Sequence, residues 1–244
     1  MKKFNAFMVA ALAGAMPAMA GWVSPANGTN YTLASLTAIE GTGVEKVGDH
    51  TYVMNDDVEI SAGDSFKMLD GDTLRIGESK LLTIKGTADF AVENEAVITR
   101  VENSGSKGPK GVYCALDASS GTFKNIVFNY GTLRYGGEAP LTVENCTFEN
   151  CTSTQSSAGC IVFAGPNTGN VIKNNTFKNC TVPAVAGGAN VATGLTFEDN
   201  YVYNMNTSNS NRPMVNLTVG GNAPVVVKNN YIEGTGLSKV GGIT

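Results

Sequence analysis

The sequence predicts an all-β chain folded as a parallel β-helix, a form of solenoid, and the main evidence is a repeated motif. Five segments carry the same pattern at offsets of 20, 29, 25 and 30 residues: 121–132, 141–152, 170–181, 195–206 and 225–236. A constant motif at such a period is typical of a solenoid. Apolar and polar residues alternate within each copy, which indicates strands and leaves no room for a long helix.

Each copy bends between two short strands at an asparagine or an aspartate. These residues tolerate the left-handed backbone that a sharp bend requires. We expect their side chains to stack from coil to coil and satisfy backbone groups that the bend leaves without partners. The predicted asparagine ladder is the column Asn125, Asn145, Asn174, Asp199 and Asn229.

Alignment of the copies separates inward columns from outward ones. Two apolar columns are predicted to form the core: Phe123, Val143, Ile172, Phe197, Val227 and Phe128, Phe148, Phe177, Val202, Ile232. An outward column alternates in charge, with Lys124, Glu144, Lys173, Glu198 and Lys228, and a second one contains Glu149 and Lys178. Opposite charges on neighbouring strands fix their register, so an ionic ladder is the favoured interpretation of both.

The segments before the repeats have separate roles. Residues 1–20 are predicted to be a signal peptide, with Lys2 and Lys3, an apolar stretch and the cleavage motif Ala18-Met19-Ala20. No later stretch has the ~20 apolar residues that cross a bilayer, so we expect a secreted or cell-surface protein. Residues 21–50 are expected to be an irregular N-terminal cap, and 51–244 the β-helix.

Residues 51–101 contain short alternating segments separated by turns, so a separate β-sandwich is an alternative for this part. A single continuous domain is the simpler interpretation. At the other end, the last copy is followed by eight Gly-rich residues, too few to cover an open coil. The sequence therefore predicts an uncapped end that further coils or a partner chain would cover.

Composition limits the partners. Without the signal peptide the chain has 15 basic and 21 acidic residues, so nucleic acid is excluded as a partner for lack of a basic surface. Five cysteines in an exported protein suggest disulfides. However, Cys151 and Cys180 occupy one column in consecutive copies, where small thiols suit the interior, so we expect them to stack as thiols.

Tyr201 and Tyr231 share an outward column, and Tyr203 lies two residues beyond Tyr201. Exposed aromatic rings on a flat sheet offer a surface for stacking a sugar. Aromatic pairs also stabilise sheets without any ligand. Both interpretations are open, and we take these tyrosines as the candidate substrate-binding residues.

The copies KNNTFKNCT and EDNYVYN resemble the pectate-lyase-like superfamily of right-handed parallel β-helices, including chondroitinase-B-like modules. The resemblance covers residues 51–236 and is specific for fold rather than activity. It implies uronic-acid polysaccharides as ligands and β-elimination as a reaction. In that reaction a Lys or Arg base removes a proton while acidic residues or Ca²⁺ neutralise the uronate.

The resemblance makes some residues of this chain candidates for such roles. The candidate bases are Lys173, Lys178, Lys228 and Arg212, with Arg134 of a similar type, and the candidate Ca²⁺ ligands are Glu144, Glu149 and Glu198. A hydrolase pair of carboxylates is not recognisable, since His50 and Asp56-Asp57 lie before the repeats.

The sequence thus predicts an exported β-helix protein that binds acidic polysaccharide. The alternatives are a Ca²⁺-assisted polysaccharide lyase and a non-catalytic structural or adhesive surface protein.

Overall fold

A computed structural model describes residues 21–102, 109–115, 118–152, 159–187, 193–208, 212–217, 224–236 and 241–243. The predicted signal peptide lies outside these residues. The first half contains β1 (Trp22–Val23), β2 (Asn30–Tyr31), α1 (Leu33–Thr37), β3 (Val44–Gly48), β4 (Thr51–Met54), β5 (Val58–Ile60), β6 (Ser65–Lys67), β7 (Thr73–Ile76), β8 (Leu81–Ile84) and β9 (Thr87–Arg100).

The second half continues with strands alone among the described residues. They are β10 (Gly111–Cys114), β11 (Ser120–Asn129), β12 (Leu133–Tyr135), β13 (Leu141–Glu144), β14 (Thr147–Glu149), β15 (Ile161–Phe163), β16 (Asn167–Lys173), β17 (Thr176–Lys178), β18 (Val185–Gly187), β19 (Thr193–Glu198), β20 (Tyr201–Tyr203), β21 (Val225–Lys228) and β22 (Tyr231–Glu233).

The strands form three rows in which the order follows the chain. One row is a separate sheet, β1-β5-β8-β10-β12-β15-β18. The other two share β9 and β11 and continue as β13-β16-β19-β21 and as β14-β17-β20-β22. The pairs along these rows are parallel, whereas β3 and β4 pair antiparallel. This pairing confirms the predicted all-β class with parallel strands.

The predicted apolar columns lie in register inside the structure. Phe123 pairs with Val143, and Phe128 pairs with Phe148, which pairs with Phe177. The first four members of each column are buried, and the rings of Phe128 and Phe148 stack with centroids 4.6 Å apart. We call the strands of one copy of the motif a rung. In the last described rung, which contains β21 and β22, the core is open to solvent, since Val227 is 41% exposed. The inward positions are thus confirmed for the first four members of each column.

The segment expected to be an irregular cap contains regular elements. Helix α1 begins with a capping box between Thr32 and Ser35, and it buries Leu33 and Leu36. The capping box satisfies the N–H groups of Thr32 and Ser35, two of those that the start of a helix leaves without intrahelical partners.

A buried aspartate organises the rest of the cap. The Asp64 carboxylate accepts the Ser24 hydroxyl and the backbone N–H groups of Ala26, Asn27, Gly28 and Thr29, the last four at 2.8–3.0 Å. Burial acts to raise the pKa of Asp64, but the bonds from Ser24 and the backbone outweigh it and lower the pKa below its usual value. The turn at residues 24–29 is therefore folded around one anion.

The predicted bends are confirmed, but the amide ladder is one residue further along. Asn125, Asn145, Asn174, Asp199 and Asn229 all have φ between 54° and 58°. The buried amides that stack are their successors: the Nδ2 of Asn175 donates to the Oδ1 of Asn200, and the Nδ2 of Asn200 donates to the Oδ1 of Asn230, each at 3.0 Å. The predicted register of the ladder is wrong because the left-handed residue turns its side chain toward the surface.

Candidate functional site

The three predicted tyrosines form one surface, here called the tyrosine platform (Tyr201, Tyr203, Tyr231). Strand β20 pairs with β22 so that Tyr201 lies beside Tyr231 on the outward side. Their ring centroids are 5.4 Å apart with planes 5° from parallel, and Tyr203 stacks on Tyr201 at 6.2 Å. Tyr201 is 40% exposed and Tyr231 57% exposed. The platform is an exposed stack of aromatic rings that spans two rungs.

Polar side chains border the platform. The Tyr231 hydroxyl donates to Glu233 Oε2 at 2.9 Å, and this bond with the charge of Glu233 raises the pKa of Tyr231. In the same strand row, Lys178 pairs with Tyr203 in register and binds Glu149 at 3.0 Å. Glu233 therefore holds the Tyr231 hydroxyl, while the ammonium group of Lys178 is directed to Glu149 on the rung before.

Across the bend from the platform lies an ionic ladder (Lys173, Glu198, Lys228). The Glu198 carboxylate binds the ammonium groups of Lys173 at 2.9 Å and Lys228 at 2.6 Å. The hydrogen bonds from Lys228 and Lys173 lower the pKa of Glu198, and the bond to Glu198 raises the pKa of Lys173. The ladder therefore places one carboxylate between two ammonium groups.

These contacts bear on the catalytic and metal-binding candidates. Lys173 is held in its protonated form, which opposes a role as general base. Both oxygens of Glu198 already bind ammonium groups, and Glu149 is paired with Lys178. Glu144 lies in register with Lys173, within the same outward column.

The two candidate arginines lie off the strand row that carries the platform. Arg134 is on β12 in the seven-stranded sheet, with its guanidinium 4.8 Å from the centre of the Tyr113 ring. Arg212 lies beyond β20 in the chain, and its backbone carbonyl accepts the Asn206 amide. The structure thus places Lys178 in register with the platform and Lys228 at the adjoining bend.

Sequence reasoning missed two features of this region. Glu233 belongs to the outward column that also contains Glu149 and Lys178, so the alignment of copies contained its signal. Among the described residues, the group of potential metal ligands that lies close together consists of Cys151, Cys160 and Cys180. Cys160 escaped notice because it lies outside every copy of the motif.

Comparison of the chain with family models, curated proteins and solved structures finds no match. Within the described ranges, no helix is both long enough and apolar enough to cross a membrane.

Proposed function

We propose that this is an exported protein whose strand rows wind as a right-handed parallel β-helix of the pectate-lyase-like kind and that it binds acidic polysaccharide on the tyrosine platform. The order of strands along the three rows supports the winding, because each segment pairs in parallel with the segment one motif earlier. Parallel strands of one sheet are joined by right-handed connections in ≈ 98% of cases.

The observation that carries the binding proposal is the stacked pair Tyr201 and Tyr231. Large aromatic rings are usually buried, yet these two are 40% and 57% exposed and stack with nearly parallel planes. A tyrosine presents an apolar face with a polar edge, which suits the apolar face and hydroxyl rim of a sugar. Neighbouring rungs repeat the ring along the stack, which suits a chain of sugars better than a single one.

Charge supports an acidic glycan. Lys228 precedes Tyr231 by three residues across the bend, and its side chain is 55% exposed. An ammonium group has three donors, so Lys228 can bind a uronate while it keeps its bond to Glu198. Lys178 supplies a second ammonium on the platform side.

The lysyl groups favour binding over elimination. A lyase base must accept a proton, whereas the contact with Glu198 raises the pKa of Lys173 and keeps it charged. A second candidate function, that of a non-catalytic structural surface protein, is supported by the same contacts. Glu198 joins three successive rungs through two ion pairs, which is what a register-fixing ladder requires.

A binding experiment on the secreted protein separates these functions. We would screen a glycan array and then measure affinity for polygalacturonate and for its carboxyl-reduced form. The Tyr201→Ala/Tyr231→Ala variant should lose about tenfold or more in affinity, because two stacking surfaces are removed. Tyr113→Ala, which removes a tyrosine of the seven-stranded sheet, should bind as the parent does.

The outcomes are distinct. Parent-like affinity of the double variant for a confirmed glycan would exclude the platform as the site, and absence of binding across the array would favour the structural role. Release of unsaturated uronides, followed by ultraviolet absorbance with and without Ca²⁺, would establish a lyase.

A further inference from the structure

Three cysteine sulfurs lie close together in the core, two of them just after strands β14 and β17 and the third just before β15. The Sγ atoms of Cys151, Cys160 and Cys180 all lie within 4.8 Å of one another. Cys151 and Cys180 are stacked in consecutive rungs, and the backbone N–H of Cys151 points at the Cys180 sulfur, 3.3 Å away. Cys160 enters from the start of β15, where its own N–H binds the Pro183 carbonyl. Backbone pairing on two rows therefore fixes this triangle of thiols.

The surroundings of the triangle are apolar and contain more sulfur. All three cysteines have 0% exposed surface and belong to the main core. Met205 follows Tyr203 by two residues, as Cys180 follows Lys178, so a buried thioether occupies the matching place in the next copy. Among the described residues, no Asp, Glu or His joins the three thiols as a further ligand.

We propose that Cys151, Cys160 and Cys180 form a binding site for a soft monovalent cation, Cu(I). Thiolate and thioether ligands select soft ions such as Cu(I), and hard ions such as Ca²⁺ prefer oxygen. Metal–sulfur bonds of about 2.3 Å in a three-coordinate arrangement place the sulfurs about 4 Å apart, which this triangle accommodates. A structural Zn²⁺ site almost always has four ligands, and the triangle supplies three.

The proton balance of the site is simple. Binding of Cu(I) releases thiol protons to solvent, because the thiolate rather than the thiol is the metal ligand. No oxidation or reduction is involved.

The site is tested by loading during refolding, since the buried thiols are closed to solvent in the folded protein. The secreted protein is unfolded, reduced and refolded without oxygen in the presence of Cu(I) supplied as its acetonitrile complex. Excess ion is removed with a Cu(I) chelator. Elemental analysis should find one copper per chain, X-ray absorption should show sulfur ligands only, and the thermal midpoint should rise relative to protein refolded with Ca²⁺.

Matched variants identify the ligands. Cys160→Ala and Cys180→Ala should lose the retained copper, whereas Cys114→Ala and Cys146→Ala, which remove buried thiols outside the triangle, should keep it. Circular dichroism verifies that each variant has folded. If a variant has not folded, the X-ray absorption spectrum of the copper-loaded parent tests instead whether the ligands are sulfur atoms.

Three results would overturn the proposal. They are no copper retained by the refolded parent, copper retained by the folded triangle variants, and a disulfide between any two of the three cysteines in protein collected directly from the medium. The last result would assign the triangle to oxidative cross-linking.

Discussion

The cap and the repeated rungs satisfy the backbone N–H groups of their sharp turns in different ways. A sharp turn leaves backbone N–H groups without ladder partners, and near the core these groups must be satisfied. The cap gathers four of them around the Asp64 carboxylate. The rungs use the amide ladder (Asn175, Asn200, Asn230), in which each side chain serves its neighbours above and below.

The difference shows what repetition changes. A carboxylate is a strong acceptor, so one residue suffices where the turn occurs once. An amide both donates and accepts, so identical residues can stack without like-charge repulsion, and carboxylates could not. The stability of the cap therefore depends on pH and on one side chain. In the rungs, several neutral side chains satisfy the backbone groups of the bends.

The largest expected effect comes from Asp64→Ala. It leaves the Ser24 hydroxyl and four backbone donors without their acceptor, and we expect a loss of about 4 kcal/mol in the free energy of unfolding of the cap. Trp22 is the chain's single tryptophan and packs edge-on against Tyr31, so its fluorescence during urea unfolding measures the cap.

Asp70 provides the control for this prediction. Its exposed carboxylate binds the backbone and side chain of Asn94 and no buried group. Asp70→Ala should shift the Trp22 transition far less than Asp64→Ala. Equal shifts would show that the buried hydrogen bonds of Asp64 stabilise the cap no more than the exposed ones of Asp70.

The next effect is that of Asn200→Ala in the amide ladder. Asn200 donates to the Ile172 carbonyl at 2.9 Å and accepts the backbone N–H of Asn175 at 2.9 Å, both buried. We expect a loss of about 3 kcal/mol, seen by circular dichroism of the rungs while the Trp22 signal unfolds as in the parent. Asn204→Gly is the control, because it keeps the left-handed backbone and removes an exposed amide. A similar loss in both variants would contradict a special role for the buried column.

Acid should destabilise the cap more than the rungs, with a smaller effect than either of these substitutions. The folded-state pKa of Asp64 is lowered, so its contribution to stability is complete above the unfolded carboxyl pKa of about 4 and is lost as the pH falls through the folded pKa. The Trp22 transition should weaken with acid, and Asp64→Asn should flatten that dependence. An unchanged slope in Asp64→Asn would exclude this carboxylate as the source.

The smallest effect is expected for Glu198→Gln, whose side chain is 12% exposed but pairs with two more exposed lysines. It removes both ion pairs of the ionic ladder but leaves the amide ladder intact. Ion pairs to solvent-exposed ammonium groups contribute little and are screened by salt, so the thermal midpoint should fall less than in Asn200→Ala. The difference from the parent should narrow at high salt. A salt-independent drop would mean that Glu198 stabilises by packing instead.

The inward columns and the bends could be predicted from sequence because backbone geometry determines them. Alternation with period two assigns Phe148 and Phe177 to the core, and a left-handed bend favours asparagine. The ladder was misplaced because Asn174 and Asn175 are the same residue type, so composition does not show which one bends. The next column also contains Ile126 and Cys146, and such apolar members could have identified it as the buried one.

Other features depend on contacts between distant residues. Asp64 meets a turn about 37 residues earlier in the chain, and Cys160 meets Cys180 through a neighbouring row of strands. Neither pairing follows from a local pattern. The tyrosine platform was predictable as a column, whereas the bond of Tyr231 to Glu233 depends on side-chain conformation.

The parallel pairing of successive rungs also determines how the protein resists force. Backbone bonds between rungs run along the stack, so tension on the ends would load one rung at a time and peel it away. The released contour length depends on the spacing of the copies: 20, 29, 25 and 30 residues. At about 3.5 Å per extended residue, the 29-residue spacing corresponds to roughly 100 Å. Because the spacings are unequal, each rung should release a different contour length, and a force–extension curve could distinguish the rungs by that length.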